Sequence, residues 1–403
     1  MHWFTAFGAI SAILLSGLSR HLEGRSPDLA LRLYPVNVEA LLNSAAEKMT
    51  NDVSAGELAA IGARAAALLS SNPGDARLYS LIGEVERRNA SPEAAVDGFG
   101  RALMLARTEI HALQWMLPHA LETGDFEGFL ERLDTLFRRW PERIPDYAPL
   151  VPRVFADARA YEGLIRLLAQ FPPWKSTLIS RLSTDAATLS FAAQIIEDLA
   201  ARGAPPTDGD ISNVLNGLLE AGMPERAYRS FLMTLSPDQQ LVTGNVHNGS
   251  FQLMPTGRPF DWQILSHPGV GFSFAGDGSD PKAGRLEMTF QNTPVRGLRV
   301  RQYLLLAPGH YSLALHAEAR SAKLPKGLYW SVRCAGSNKR LAQLRIEEGS
   351  YADAELATRF EVPAGGCGLQ LVDLTTKAIA ESWYDRYAGT VAFSAVRIED
   401  MSR

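Results

Sequence analysis

The sequence predicts two folded parts, a helical array followed by an antiparallel β-sandwich. Apolar residues recur with helical spacing through residues 25–237 and then with a spacing of two through residues 240–403. The stretch 246-VHNGSFQLMPTGRPFDWQI-264 is the first in which glycine, proline and aromatic residues replace the helical pattern. A chain of 403 residues also exceeds what one compact core normally holds, so we expect more than one domain.

The composition is that of a folded protein without a nucleic-acid partner. Hydrophobic residues make up 46% of the chain and charged residues 21%, which is ordinary for globular proteins. The formal net charge is -4 and the isoelectric point is near 6.1. Because nucleic-acid binding requires a basic surface, we expect no nucleic-acid partner.

Residues 1–22 are predicted to be a signal peptide or a membrane anchor, in the latter case of the inner membrane. No charged residue occurs from Trp3 to Ser19, and Gly17 and Ser19 suit the small positions before a signal-peptidase site. Arg20 follows this run, but no Lys or Arg precedes it, so an uncleaved anchor would leave the body in the cytoplasm. An amphipathic first helix of a soluble domain is the remaining alternative.

The two cysteines of the chain, Cys334 and Cys367, favour export. Each lies in a strand-like run, and two isolated cysteines in one β domain suit a disulfide, which persists only in an oxidising compartment. Two buried free thiols are the alternative. We therefore expect a protein that is periplasmic, or anchored in the inner membrane and facing the periplasm, with a cytoplasmic location as the alternative. The chain has no CxxC pair and no His/Cys ligand spacing, so no metal site and no cofactor is predicted.

Residues 25–237 carry a degenerate internal repeat. From Ala76 the chain reads ARLYSLIGEVERRNASPEAAVDGFGRALMLARTE, with large and small residues at regular positions of two successive helices. These positions are Tyr79, Ile82, Gly83, Ala95, Phe99 and Ala102. The pattern resembles tetratricopeptide repeats, although residues 143–205 do not keep its period. The resemblance implies an α-solenoid whose concave surface binds a protein partner.

Residues 240–403 consist of short runs with alternating apolar and polar residues. The clearest runs are LEMTFQ, GHYSLALHAEA and GLYWSVRC, and turn signals such as Pro308-Gly309 separate the runs. Further runs of the same kind are LRVRQYLLL, RLAQLRI, TRFEV, CGLQLVDL and TVAFSAVRI. About nine or ten short strands with turns between them predict an antiparallel sandwich of two sheets.

The motifs NGSFQ (248–252) and PFDWQI (259–264) resemble the opening strand of carbohydrate-binding-module-like jelly rolls of the galactose-binding-domain type. The resemblance continues through VRQYLLLAPGHYSLALHAEA and the closing AGTVAFSAVRIED. We expect Phe251 and Trp262 to be core residues of such a sandwich. Many members of the family hold a structural calcium with Glu and Asp, but this chain has Gln252 and Ser394-Ala395 in those regions, so no calcium is expected.

A carbohydrate site would need aromatic rings that stack on sugar faces and polar groups that bind hydroxyls. Two places offer such residues, the strand around Trp330 and the aromatic loop 382-SWYDRYAG-389. The candidate binding residues, all predicted to lie at outward positions or on loops, are Tyr329, Arg333, Gln370, Trp383, Tyr384 and Arg386. Alternatively, Trp383 fills one end of the sandwich.

The N-terminal segment, the helical repeats and the jelly roll together resemble proteins of bacterial surface-polysaccharide machinery. The resemblance implies a non-catalytic envelope scaffold that assists exopolysaccharide assembly or export, with a protein partner on the array and polysaccharide or protein on the sandwich. No GxSxG, HExxH or GxxxxGK[ST] motif is present, so no catalytic residue is predicted. The alternatives are a pure protein–protein scaffold with a structural sandwich, and a polysaccharide lyase or hydrolase that uses Asp373, Glu381 or Asp385.

Overall fold

The computed structural model describes residues 13–50, 52–277, 280–337, 339–376 and 384–401. The chain divides into two compact units. The first runs to Leu167 and includes Pro172–Trp174, whereas the second consists of Leu168–Phe171 and the chain from Lys175 onward. The first unit is helical, and the second combines helices with two β-sheets.

Short helices make up the first unit. They are α1 (Pro27–Leu33), α2 (Val38–Thr50), α3 (Ala55–Leu69), α4 (Ala76–Arg88), α5 (Pro92–Leu105), α6 (Ile110–Thr123), α7 (Phe126–Arg139), a 3-10 helix (Pro141–Leu150), α8 (Val151–Ala156) and α9 (Ala158–Leu168). Residues 13–22 are also helical. No helix in the described ranges is long and apolar enough to span a membrane. Residues 1–12 of the predicted signal peptide or anchor lie outside the described residues.

Polar residues begin these helices and small residues let them pack closely. Ser54 and Glu57 form a reciprocal capping box at the start of α3. Between α4 and α5, a Cβ on Gly98 would lie 2.8 Å from the Cα of Gly83, so only glycine permits this helix crossing. The predicted small–aromatic–small residues of α5 are buried around Phe99. The helical fold of this region is confirmed, and the type of repeat stays a prediction.

Five further helices belong to the second unit. They are α10 (Lys175–Ser183), α11 (Leu189–Ala201), α12 (Asp208–Glu220), α13 (Pro224–Met233) and α14 (Pro237–Leu241). The segment before the first strand packs on them. The buried Arg258 donates from Nε to Asp208 at 2.9 Å and from Nη1 to the carbonyl of Thr234 at 3.2 Å. The ring of Phe260 lies 5.7 Å from that of Phe231.

In the described ranges, ten strands follow the helices and form two five-stranded antiparallel sheets. The strands are β1 (Gln263–Ile264), β2 (Val270–Asp277), β3 (Asp280–Pro294), β4 (Val300–Leu304), β5 (Gly309–Lys323), β6 (Leu328–Cys334), β7 (Arg340–Ile346), β8 (Gly349–Val362), β9 (Gln370–Thr376) and β10 (Arg386–Asp400). The first sheet has the order β1-β4-β9-β6-β7, and the second has the order β2-β3-β10-β5-β8. The predicted helical part followed by a β-sandwich is confirmed.

The core of the sandwich contains the residues that the alternating pattern places inward. Leu313, Leu315 and Trp330 are fully buried, and the rings of Trp262 and Trp330 lie 5.6 Å apart. Phe251 stacks on Trp262 at 5.1 Å, which confirms the prediction that both are core residues.

The NGSFQ motif is not a strand, in contrast to the predicted opening strand. Asn248 and Phe251 have φ angles of 50° and 53°, which turn the chain instead of extending it. The side chain of Asn248 accepts from the amide of Leu253 and donates to its carbonyl, so it takes the place of a strand partner. Phe251 therefore enters the core from a turn.

The predicted disulfide is confirmed between Cys334 and Cys367. Cys334 ends β6, and Cys367 precedes β9, which is the neighbour of β6 in the first sheet. The bridge therefore joins adjacent elements of one sheet. Because such disulfides persist where thiols are oxidised, the bridge indicates a location outside the cytoplasm.

Candidate functional site

The outer face of the first sheet is the candidate site, and we call it the arginine face. Along β6 the core residues Trp330, Val332 and Cys334 alternate with outward residues, and the other strands of the sheet follow the same rule. The outward residues that define the arginine face are Gln263, Arg301, Tyr303, Tyr329, Ser331, Arg333, Arg340, Gln343, Arg345, Leu371, Asp373 and Thr375.

The strand register places a row of polar side chains across this face. Gln263 pairs with Arg301, Arg301 with Asp373, Asp373 with Ser331, and Ser331 with Gln343. With strands about 4.8 Å apart, the row extends about 19 Å across the five strands. The row is therefore longer than a single sugar ring.

Asp373 is held at the centre of the row. Its side chain is almost completely buried, although it lies on the outer face. Ser331 donates its hydroxyl to one carboxylate oxygen, and Arg333 donates from Nε to the other at 3.1 Å. Both oxygens of Asp373 are thus engaged by β6, and the carboxylate compensates the charge of Arg333.

Arg301 and Arg345 lie on either side of this central pair. Arg301 donates from Nε to Gln263 at 2.9 Å, and its guanidinium lies 5.8 Å from the ring centroid of Tyr303. Arg345 is exposed and pairs in register with Tyr329. Within the described residues, neither Arg301 nor Arg345 forms an ion pair. The face thus presents aromatic rings beside guanidinium groups. The rings can stack on sugar rings, and the guanidinium groups can donate hydrogen bonds to oxygen atoms of a sugar.

Two of the predicted site residues, Tyr329 and Arg333, lie on the arginine face. Gln370 does not, which corrects its predicted outward position. Its side chain is fully buried on the core side with Val372 and Leu374, because the alternation of β9 begins in the opposite phase from the one assumed. There its amide accepts from the backbone N–H of Leu306 at 2.8 Å and donates to the Leu306 carbonyl at 3.3 Å.

The aromatic loop contributes two described candidates away from the first sheet. Arg386 begins β10 in the second sheet, and Tyr384 precedes it with 89% of its surface exposed. Asp385 pairs with Lys326 at 3.5 Å, which places this segment beside the turn that leads into β6. Trp383 lies outside the described residues, so both interpretations of it stay predictions.

The sequence interpretation missed Arg301, Tyr303 and Arg345. The signal was present in the runs VRQYL and RLAQLRI, where every second residue is outward. Reading the phase from the buried residues Val300 and Ile346 would have placed the three side chains on the outer face.

The acidic residues considered for catalysis have other partners where the structure describes them. Asp373 is bound by Ser331 and Arg333, and Asp385 is paired with Lys326. Glu381 lies outside the described residues. Among the described residues, no three His, Cys, Asp or Glu side chains are grouped as metal ligands would be.

The first unit contains a groove of about 720 Å³ that α2, α4 and α6 line together. Trp115 lies in this groove, where its ring stacks on Phe99 at 4.9 Å and on His119 at 4.8 Å. Arg77 lines the same groove and pairs with Glu39 at 2.6 Å. The groove therefore combines an aromatic floor with charged walls.

No family model matches the chain, and no curated protein matches it. Structural neighbours of the β part include carbohydrate-binding modules. A structure described as "CBM4 structure and function" is 13% identical, with 39% of this chain and 99% of that chain covered and a TM-score of 0.29. TmCBM61 in complex with beta-1,4-galactotriose is 12% identical, with 39% and 99% covered and a TM-score of 0.28. The CBM22-1 xylan-binding domain from Paenibacillus barcinonensis Xyn10C is 12% identical, with 38% and 93% covered and a TM-score of 0.26. Likeness at this level does not assign a ligand.

Proposed function

We propose that the protein is a non-catalytic binding protein of the bacterial envelope, and that its sandwich binds polysaccharide through the arginine face. In this role it assists the assembly or export of a surface polysaccharide while the helical array holds a protein partner. The disulfide between Cys334 and Cys367 supports a location outside the cytoplasm.

The observation that carries this proposal is the side-chain set of the arginine face. Tyr303 and Tyr329 are half-buried, so each ring is fixed at its base and still offers surface to a ligand. The row from Gln263 to Gln343 supplies amide, guanidinium and hydroxyl groups beside these rings. Binding sites for sugars require this combination of stacking surface and directed polar groups.

The test is binding of the full chain to a panel of neutral and acidic polysaccharides, measured by affinity gel electrophoresis. We expect Tyr329→Ala to weaken binding about tenfold because a stacking ring is lost, which corresponds to about 1.4 kcal/mol. Tyr329→Phe is the matched control, since it keeps the ring, and should bind within about twofold of the wild type. If the protein bound none of the polysaccharides in the panel, this function would be excluded.

A second function, docking of a protein on the helical array, is favoured by the groove around Trp115. A half-buried tryptophan beside charged residues is the type of side chain that anchors partners in binding grooves. A photo-crosslinking residue at Gln114, which lines the groove, should capture one defined partner. The same residue at Met104, which is exposed and does not line the groove, is the control. Equal capture at both positions would argue against a groove-specific partner.

A further inference from the structure

The charge of the arginine face indicates whether its ligand is an acidic or a neutral polysaccharide. The five strands of the first sheet contain four arginines, Arg301, Arg333, Arg340 and Arg345, and a single acidic residue, Asp373. This excess of positive charge occurs in a chain whose formal net charge is -4. The face is therefore a local exception to the charge of the whole protein.

The single carboxylate does not neutralise the outer arginines. Asp373 uses one oxygen for Ser331 and the other for Arg333, so it is committed to β6. Arg340 donates to the neutral amide of Gln343 at 3.2 Å. In the described part of the chain, Arg301, Arg340 and Arg345 have no carboxylate partner. Positive charge is left uncompensated on both sides of the central pair.

Arg301 is also oriented for an incoming ligand. Its Nε is bound to Gln263, and the neighbouring ring of Tyr303 lies 5.8 Å from its guanidinium. Among the described residues, its two terminal nitrogens have no hydrogen-bond partner. A planar guanidinium held at Nε presents those nitrogens as a fork, and this geometry matches a carboxylate.

We propose that the polysaccharide bound by the arginine face is acidic and built of uronic acids, whose carboxylates pair with Arg301 and Arg345. This inference rests on the proposed carbohydrate-binding function and names the class of its ligand. Three strand spacings separate β4 from β7, about 14 Å, so one chain crossing the sheet can reach both arginines. Tyr329, which neighbours Arg345 on the adjacent strand, contacts a sugar ring between the carboxylates, and Tyr303 contacts a ring at the Arg301 end of the polymer, on the side away from Arg345.

The first experiment compares polygalacturonate with the same polymer after its carboxyl groups have been reduced to hydroxymethyl groups. The full chain should bind polygalacturonate about tenfold more tightly than the reduced polymer, because only the former pairs with guanidinium groups. Added salt should weaken binding to polygalacturonate more than binding to the reduced polymer. Equal affinity for both polymers would overturn the acidic ligand and leave carbohydrate binding in place.

The second experiment tests whether the arginines of this face are the ones that bind the acidic polymer. Arg301→Gln with Arg345→Gln should lower affinity for polygalacturonate about tenfold, and the corresponding Lys variant should lose less because it keeps the charge but not the fork. The matched control is Arg320→Gln with Arg397→Gln on the outer face of the second sheet, which should bind like the wild type. A loss caused only by the control pair would overturn the placement. No binding to acidic or neutral polymers would overturn both the ligand class and the proposed function.

Discussion

Three arginines on the outer face of the second sheet have carboxylate partners, in contrast to the outer arginines of the arginine face. On the second sheet Arg285 lies 3.6 Å from Glu287, Arg320 lies 3.0 Å from Glu318, and Arg397 lies 3.7 Å from Glu399. Each of these three arginines has a carboxylate on its own strand, whereas the exposed Arg359 of β8 forms no ion pair among the described residues, so most but not all of the arginines on this face are paired. On the arginine face the single carboxylate is fixed by β6, and the outer guanidinium groups have no carboxylate among the described residues.

Because of this difference, we expect the charged side chains of the two faces to contribute differently to stability and to binding. Exposed ion pairs contribute about 0–1 kcal/mol each, so the pairs of the second sheet mainly satisfy charge. A buried carboxylate with two donors costs more to remove, because its partners lose their acceptor at a position that is shielded from water. We therefore expect the first sheet to be sensitive to a few internal links and the second sheet to tolerate changes on its outer face.

The largest effect is expected from the disulfide, which links elements of the first sheet only. Replacing both Cys334 and Cys367 by Ala should lower the free energy of unfolding by about 3–4 kcal/mol, because the bridge closes a loop across a sequence separation of 33. Hydrogen exchange should show a greater loss of protection in β6 and β9 than in the strands of the second sheet. Reductant added to the wild type should reproduce the effect, and unchanged protection in reductant would contradict the assigned role.

A smaller effect is expected from Asp373 on the arginine face. Asp373→Ala should cost about 2 kcal/mol, because Ser331 and Arg333 lose their shared acceptor while Arg333 can still reach water. The control is Glu318→Ala on the second sheet, where the pairs are partly exposed and the cost should stay below about 1 kcal/mol. Urea unfolding measures both variants. Equal costs would show that the two faces do not differ.

Much of the sandwich could be predicted because burial follows the alternation along a strand. Leu313 and Leu315 are inward, as the period of two requires, and the two cysteines of the β part do pair. Gln370 shows the limit of this reasoning. A glutamine is normally placed outward, and the burial of this one is made favourable by the backbone of Leu306, more than sixty residues away in sequence, together with the carbonyl of Cys367.

The arrangement of the arginine face depends on strand order, which local patterns do not contain. Arg301 on β4 lies beside Asp373 on β9 because those two strands are neighbours in the sheet, although four other strands come between them in the chain. Alternation along one strand cannot give this relationship. The type of each residue was readable from the sequence. Their assembly into one row follows from register, and register is set by contacts across the whole sheet.

The smallest of these effects tests a link between the two sheets. Tyr387 on β10 donates its hydroxyl to the carbonyl of Gly327, which precedes β6, at 3.1 Å. Burial raises the pKa of Tyr387 to about 12, compared with about 10 in an unfolded chain. The folded state therefore favours the neutral phenol, and its contribution to stability is present below pH 10 and lost as the pH rises toward 12.

Tyr387→Phe should consequently change the pH dependence more than the stability at neutral pH. Between about pH 9 and pH 11 the wild type should lose about 1.4 kcal/mol relative to the variant, because only the wild type must ionise this buried phenol on unfolding. Urea unfolding of both proteins across this range measures the difference, in which the other tyrosines cancel. A constant difference would mean that Tyr387 ionises as readily in the folded protein as in the unfolded chain, and would remove this hydroxyl as a link between the sheet that carries the arginine face and the sheet that does not.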